Sequence, residues 1–300
     1  IDDSVAPSPP LPFDRGGRPA LSHDGHYPPR PDAARDPAGA ALWQQLVTSD
    51  PVVIAPNAIA EDVHHSTNTT SGNWSGYVLT SAATAPIYAW IYGEWNVPRA
   101  YAESGFYSSD HSSLWVGIDG WGSSDVVQDG TDQNTLTLFW IQSSSYDAWV
   151  EWYPLSAQAI SNLPVNPGDR VHSWTLLKDA SGNYSAHPTV GWFYMWNQTQ
   201  NVYTYASIDL PAGATFSGHS AEWVLERPTV SGSTSSLANY ATAQLTNAST
   251  YDLWGGSHQY AGDASDRSWN VTMTGTGGAV LSTVAPVNAS TMQFTWHGHQ

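Results

Sequence analysis

The 300-residue chain contains no cysteine. Disulfide staples are therefore excluded, and so is a thiol nucleophile. The absence leaves the compartment undecided, because an oxidising location permits disulfides without requiring them. Cationic side chains are scarce as well: nine Arg and Lys stand against 26 Asp and Glu, and Lys178 is the single lysine. The formal charge of −17 argues against a nucleic-acid or anionic-membrane partner. Only 12% of residues are charged. At about pH 3–4 most carboxyls are near or below their ordinary pKa, so self-repulsion shrinks while the 11 histidines become positive. Such a composition serves simple solubility or an acid medium. No apolar run reaches about 18 residues, so no transmembrane helix is expected. Helix-period stretches are almost absent. There is no Gly-X-Ser-X-Gly elbow and no nucleotide-binding loop. Metal binding is not expected: His64-His65 read as solvated linker residues, and His297 and His299 lie at the terminus.

What is present divides into two regions. Residues 1–70 carry proline-rich stretches, Ser8-Pro9-Pro10-Leu11-Pro12 and Tyr27-Pro28-Pro29-Arg30-Pro31, and four of the nine cations, Arg15, Arg18, Arg30 and Arg35. One helix is predicted near residues 38–48, started by Asp36-Pro37. Too poor in apolar periodicity to fold alone, this region is expected to be an extension, ending in a linker over residues 64–72. Residues 71–300 hold short alternating runs broken by Gly, Ser, Asn, Asp and Pro, with 16 Trp and 15 Tyr. That pattern predicts an all-β antiparallel sandwich or barrel. Seven Asn-X-Ser/Thr sequons, from Asn68 to Asn288, fit a secreted chain.

Side chains alternate between the two faces of a strand. In Tyr146–Tyr153, Ala148, Val150 and Trp152 make an apolar face, and Asp147, Trp149, Glu151 and Tyr153 a polar-aromatic one. In Ser220–Glu226, Ala221, Trp223 and Leu225 oppose Ser220, Glu222, Val224 and Glu226. In Leu114–Asp119, Leu114, Val116 and Ile118 oppose Trp115, Gly117 and Asp119, and Gln128 shares a face with Val126. Several strands thus pair a buried face with one carrying carboxyl, amide and indole groups, the lining expected of a ligand groove.

These runs also carry a resemblance. Asn73-Trp74-Ser75-Gly76, Trp115–Gly120, Gln128-Asp129-Gly130-Thr131-Asp132, Tyr146–Pro154 and Ala221-Glu222-Trp223, in this order, resemble the glutamic peptidases (eqolisins), over about residues 73–297. The resemblance implies a β-sandwich of two large sheets with the overall shape of legume lectins. It places the catalytic glutamine on Gln128 and the catalytic glutamate on Glu222. Cleft-lining or supporting groups fall on Trp115, Asp119, Asp132, Trp149, Glu151 and Tyr153, with Asp132 expected past a turn. It implies an acid-acting, secreted, monomeric endopeptidase with protein or peptide substrates and no cofactor, and residues 1–70 resemble a pro-segment. Departures are the missing cysteines, a long loop expected between Gly72 and Trp115, and an insertion-like stretch over residues 254–270.

The implied chemistry has Glu222 take a proton from an attacking water and return it to the leaving amine, with Gln128 donating to the oxyanion and to the ionised Glu222. Two rivals stand beside it. A carbohydrate-binding or glycoside-hydrolysing sandwich would use the aromatics for stacking and Glu151 with Glu222 as a carboxyl pair. A non-catalytic binding module would leave Gln128 and Glu222 incidental.

Overall fold

The computed structural model describes Ala34 and residues 66–81, 87–102, 107–139, 141–253, 256–260 and 266–299. The helix expected near residues 38–48, and nearly all of the extension, lie outside the described residues. Within them the chain is built from strands: β1 (Ser66–Ser71), β2 (Trp74–Ser81), β3 (Tyr88–Asn96), β4 (Tyr107–Asp119), β5 (Val126–Leu138), β6 (Ile141–Tyr153), β7 (Gln158–Ala159), β8 (Arg170–Lys178), β9 (Val190–Asn197), β10 (Val202–Asp209) and β11 (Ser220–Glu226). The short β12 (Thr229–Val230), β13 (Ser233–Thr234) and β14 (Ser236–Leu237) follow, then β15 (Thr242–Asp252), β16 (Ser257–Gln259), β17 (Asp266–Thr274), β18 (Val280–Asn288) and β19 (Thr291–Trp296).

Pairing gives two layers. One runs β1-β17-β2-β11-β4-β5-β6-β7. The other runs β18-β19-β15-β3-β8-β9-β10. The end of β17 pairs with β18 and links them. The pairings along these two orders are antiparallel except β1 with β17, and the short β14 pairs in parallel with β4. The fold is the expected all-β sandwich.

The apolar faces meet between the layers. Val116, Ile118, Val127, Val150, Trp152, Ala221, Trp223 and Leu225 from the first layer pack with Ile91, Trp95, Val171, Phe193, Met195 and Leu245 from the second. Each fully buried side chain of this kind contributes roughly 1.5–3 kcal/mol. Polar groups inside find partners across the gap, as buried donors must. Trp223 Nε1 donates to the Tyr92 carbonyl at 2.9 Å, and Trp95 Nε1 to Thr131 Oγ1 at 2.9 Å. Buried Asp129 accepts from Ser173 and Thr175.

Three expectations are corrected. Residues 66–71, read as linker, form β1, paired in register with β17 from Ser66↔Ser268 to Ser71↔Met273. The stretch from Gly72 to Trp115, expected as a long loop, holds β2, β3 and most of β4. The turn expected before Asp132 is absent, because Asp129–Asp132 continue β5 in register with both neighbours. Gly130, which suggested a turn, instead lies directly beside Trp115, where a side chain would meet the Trp115 Cβ at 2.5 Å.

Candidate active site

The outer face of the first layer collects every sequence-predicted site residue. Register places Val78, Glu222, Gly117, Gln128 and Glu151 in one row across β2, β11, β4, β5 and β6. A neighbouring row holds Val224, Trp115, Gly130 and Trp149, and the next Glu226, Ser113, Asp132 and Asp147. On the other side, Asp119, Val126 and Tyr153 line up. Adjacent row members on one face are side-chain neighbours.

Gly117 stands between the two principal residues. Two strand spacings set their Cα atoms about 10 Å apart. A Cβ on Gly117 would lie 3.0 Å from Gln128 Cβ and 3.0 Å from Trp115 Cζ3, so the glycine keeps the floor clear between them. Both flanking side chains are buried. Gln128 Nε2 donates to Glu151 Oε2 at 2.5 Å, which differs from the expected donation to Glu222. The cause is proximity: Glu151 sits on the adjacent strand, Glu222 one strand further. Glu222 Oε1 accepts a long bond from the Trp121 N–H, 3.4 Å. Gln128 Oε1 and Glu222 Oε2 are buried with no hydrogen-bond partner among the described residues.

Burial pushes Glu222 well above its ordinary value, and the Asp119 charge adds to this, against Ser220 and the Trp121 N–H. Glu151 is also raised by burial, with Gln128 opposing. Asp132 is pushed up to about 6 by burial, against hydrogen bonds to Ser113 and Trp149.

The supporting residues have distinct tasks. Asp119, with φ 67, accepts from the Ser217 N–H at 2.7 Å, the Ser217 hydroxyl at 2.6 Å, the Gly218 N–H at 3.0 Å and the His219 N–H at 3.2 Å. It thereby fixes the segment that enters β11. Trp149 Nε1 donates to Ser113 Oγ at 3.1 Å. Tyr153, 51% exposed, stands at the rim. Trp115 Nε1 donates to Glu226 Oε2 at 2.9 Å, and Asn73 Nδ2 to Glu226 Oε1 at 3.1 Å.

Glu226 is a member that sequence reasoning placed on the right face but did not select. Part of its surface stays exposed, yet burial of the carboxyl pushes it to about 7 against donors from Trp115, Asn73 and Trp74. Its spacing of four from Glu222 was the available signal. An indole wall was missed altogether. Trp74 meets Trp115 edge-on at 5.1 Å, stacks on Trp121 at 6.5 Å, and Trp121 packs on Trp269 at 5.9 Å. Trp269 pairs in register with Val78, in the row of Glu222. Trp121 lies in a loop and Trp269 on a distant strand, so alternation marks neither. Among the described residues no group of three or more His, Asp or Glu is arranged to hold a metal ion.

Two packed layers with a carboxyl and a carboxamide flanking a glycine on one outer face define a β-sandwich of the glutamic-peptidase kind. Scytalido-glutamic peptidase bound to a transition-state analogue inhibitor matches with TM-score 0.61 at 18% identity, over 76% of this chain and all of that one. Aspergilloglutamic peptidase from Aspergillus niger matches with TM-score 0.51 at 23% identity, over 63% of this chain and 99% of the other. In sequence, the chain is 28% identical to aspergillopepsin-2 of Aspergillus niger over 203 residues, 59% of this chain and 64% of that protein. It is 33% identical to scytalidopepsin B of Scytalidium lignicola over 116 residues, 38% of this chain and 39% of that protein. The matched region thus spans less than two thirds of either relative. The model of the Peptidase A4 family matches residues 72–296, and the chain belongs to that family.

Proposed function

We propose that this chain is an endopeptidase that hydrolyses protein and peptide substrates on the acid side of neutrality, with Glu222 and Gln128 as its reacting pair. The observation that carries it is the placement of both residues beside Gly117, each with a buried, unpartnered oxygen. Two such acceptors suit a water molecule that donates one hydrogen to each. The water oxygen attacks the scissile carbonyl carbon as its proton passes to Glu222. Glu151 occupies one N–H of the Gln128 amide and orients it, leaving the other for the oxyanion. Glu222 then gives its proton to the departing amine nitrogen as the C–N bond breaks. Glu222 must be ionised to act as the base, so its raised pKa places full activity toward the weakly acidic end of that range.

The glycosidase alternative is disfavoured by register. Glu151 lies three strand spacings from Glu222, about 14 Å between Cα atoms, and is engaged by the intervening Gln128. Hydrolysis of acid-unfolded casein and of β-glucan, by the unaltered chain and by Glu222→Gln and Gln128→Ala, separates the readings. Casein cleavage lost in both folded variants is the expected result; cleavage retained in either rejects the pair.

The proposal extends to a secreted monomer whose first 70 residues act as a pro-segment, on the grounds of low charge, sequons and the cationic proline-rich start. Incubation at low pH is expected to produce cleavage near residues 60–72 with a gain in activity. Full activity in the uncut chain argues against it.

A further inference from the structure

The three strands that carry Gln128, Gly117 and Glu151 run on past the site, and their far end has an inverted pattern. On β5, Thr135 and Thr137 are buried while Leu136 and Leu138 are each 41% exposed. The exposed pair lies on the face of Gln128, since even-numbered residues of β5 share it. Tyr107 of β4, Leu138 of β5 and Ile141 of β6 are directly in register, with Tyr107 74% and Ile141 65% exposed. A single exposed apolar side chain needs no cause, but a contiguous patch marks an interaction surface.

We propose that Tyr107, Leu136, Leu138 and Ile141 form an exosite for an extended apolar segment of an unfolded polypeptide substrate, held while another part of the same chain lies over Gly117. This rests on the peptidase reading above and deepens it. Continuity with the candidate site carries it. From the patch toward the site, Leu136 is flanked in its row by Ser109 and Ser143, and the same face then presents His111, Asn134 and Ser145 before Ser113, Asp132 and Asp147. His111 is tied to Asn134 at 2.9 Å and to Ser109 at 3.1 Å. The path is mostly hydroxyl and amide, suited to a peptide backbone of any sequence. Over this stretch β6 is also a sheet edge: among the described strands only β7 pairs with its outer side, at Trp149 and Val150. A sheet edge accepts an extended chain through main-chain hydrogen bonds.

Leu138 lies ten residues from Gln128 along β5, a span of roughly 34 Å. A substrate must therefore have about ten residues beyond the scissile bond to touch both. Short peptides cannot use the patch; unfolded proteins can.

The test has a binding arm and a kinetic arm. Binding of reduced, alkylated, acid-unfolded casein is measured on Glu222→Gln protein, with and without Leu138→Ser plus Ile141→Ser. Kinetics on casein and on a six-residue peptide cut from it are measured in the wild-type active site with the same patch changes. The expected result is binding weakened about fivefold or more, KM on casein raised to match, kcat unchanged, and the short peptide unaffected. Unchanged casein binding overturns the proposal, as does an equal loss on casein and hexapeptide. A wild-type dimer that the substitutions convert to monomer also overturns it, assigning the patch to a second copy of the chain. Should the unaltered chain cleave neither substrate, the peptidase reading fails while the binding arm still decides the exosite.

Discussion

Gln128 and Glu222 flank Gly117 in one register row, and the edge of the Trp115 ring leans over that glycine. The pair is assembled because β11 pairs with β4, which has β5 as its other neighbour; the two residues are 94 positions apart in the chain but two strand spacings apart in space. This arrangement makes the pair sensitive to anything that thickens its floor.

Gly117→Ala places a methyl 3.0 Å from Gln128 Cβ. The neighbouring side chain must give way, at a cost of about 1–3 kcal/mol in stability. The larger effect falls on turnover, with kcat/KM expected to drop by about tenfold or more as the gap for water is narrowed. Urea denaturation alongside peptide kinetics checks both; unchanged kinetics in a folded variant refutes the role of the gap.

Glu222→Gln is expected to lower kcat by about 10²–10⁴ and Gln128→Ala by about 10²–10³. Because burial raises Glu222, the limb of kcat/KM that reports its ionisation lies above its ordinary value of 4.5. A pH profile of the free enzyme reads this directly. A limb below 4.5 means that Glu222 is held ionised by groups other than those found here.

Asp119→Ala removes the acceptor for four donors in the segment entering β11. A loss of about 2–4 kcal/mol follows, since buried N–H groups are left unmatched. Asp119→Asn loses less, because asparagine tolerates the positive φ and keeps one oxygen acceptor. Chemical denaturation of both variants gives the ranking, and equal stability of the two contradicts it.

Burial pushes Asp129 up to about 7, against hydrogen bonds from Ser173 and Thr175, and Glu226 to about 7. Each folded-state pKa is above its unfolded value. The stability each contributes is therefore complete below about pH 4 and is lost as pH rises through about 7, by up to roughly 3–4 kcal/mol per group. Glu94 opposes this trend. Burial would raise it, but His172, Tyr92, Asn247 and Arg170 together hold it below its ordinary value, so its contribution falls away in strong acid. Thermal melts from pH 3 to 8 are expected to show Tm falling toward neutrality, and Asp129→Asn to flatten that slope. A Tm that rises from pH 4 to 7 contradicts the assignment.

The strand faces were legible in the sequence because alternation is a local property. Leu114, Val116 and Ile118 inward with Trp115, Gly117 and Asp119 outward needs only a period of two, and the same holds for Ala221, Trp223 and Leu225 against Glu222 and Glu226. The all-β class followed from short alternating runs and turn residues, and the selection of Gln128 and Glu222 from family motifs. Strand order is not local. Nothing in the runs themselves places β11 between β2 and β4, ties Gln128 to Glu151 rather than to Glu222, or brings Trp269 beside Trp121. Likewise, the alternation of Thr135 and Thr137 with Leu136 and Leu138 is plain in the chain, but which set faces water depends on what packs behind the sheet. Each side chain's face is set by its own backbone, whereas its neighbours are set by the pairing of distant segments, and only tertiary structure decides that.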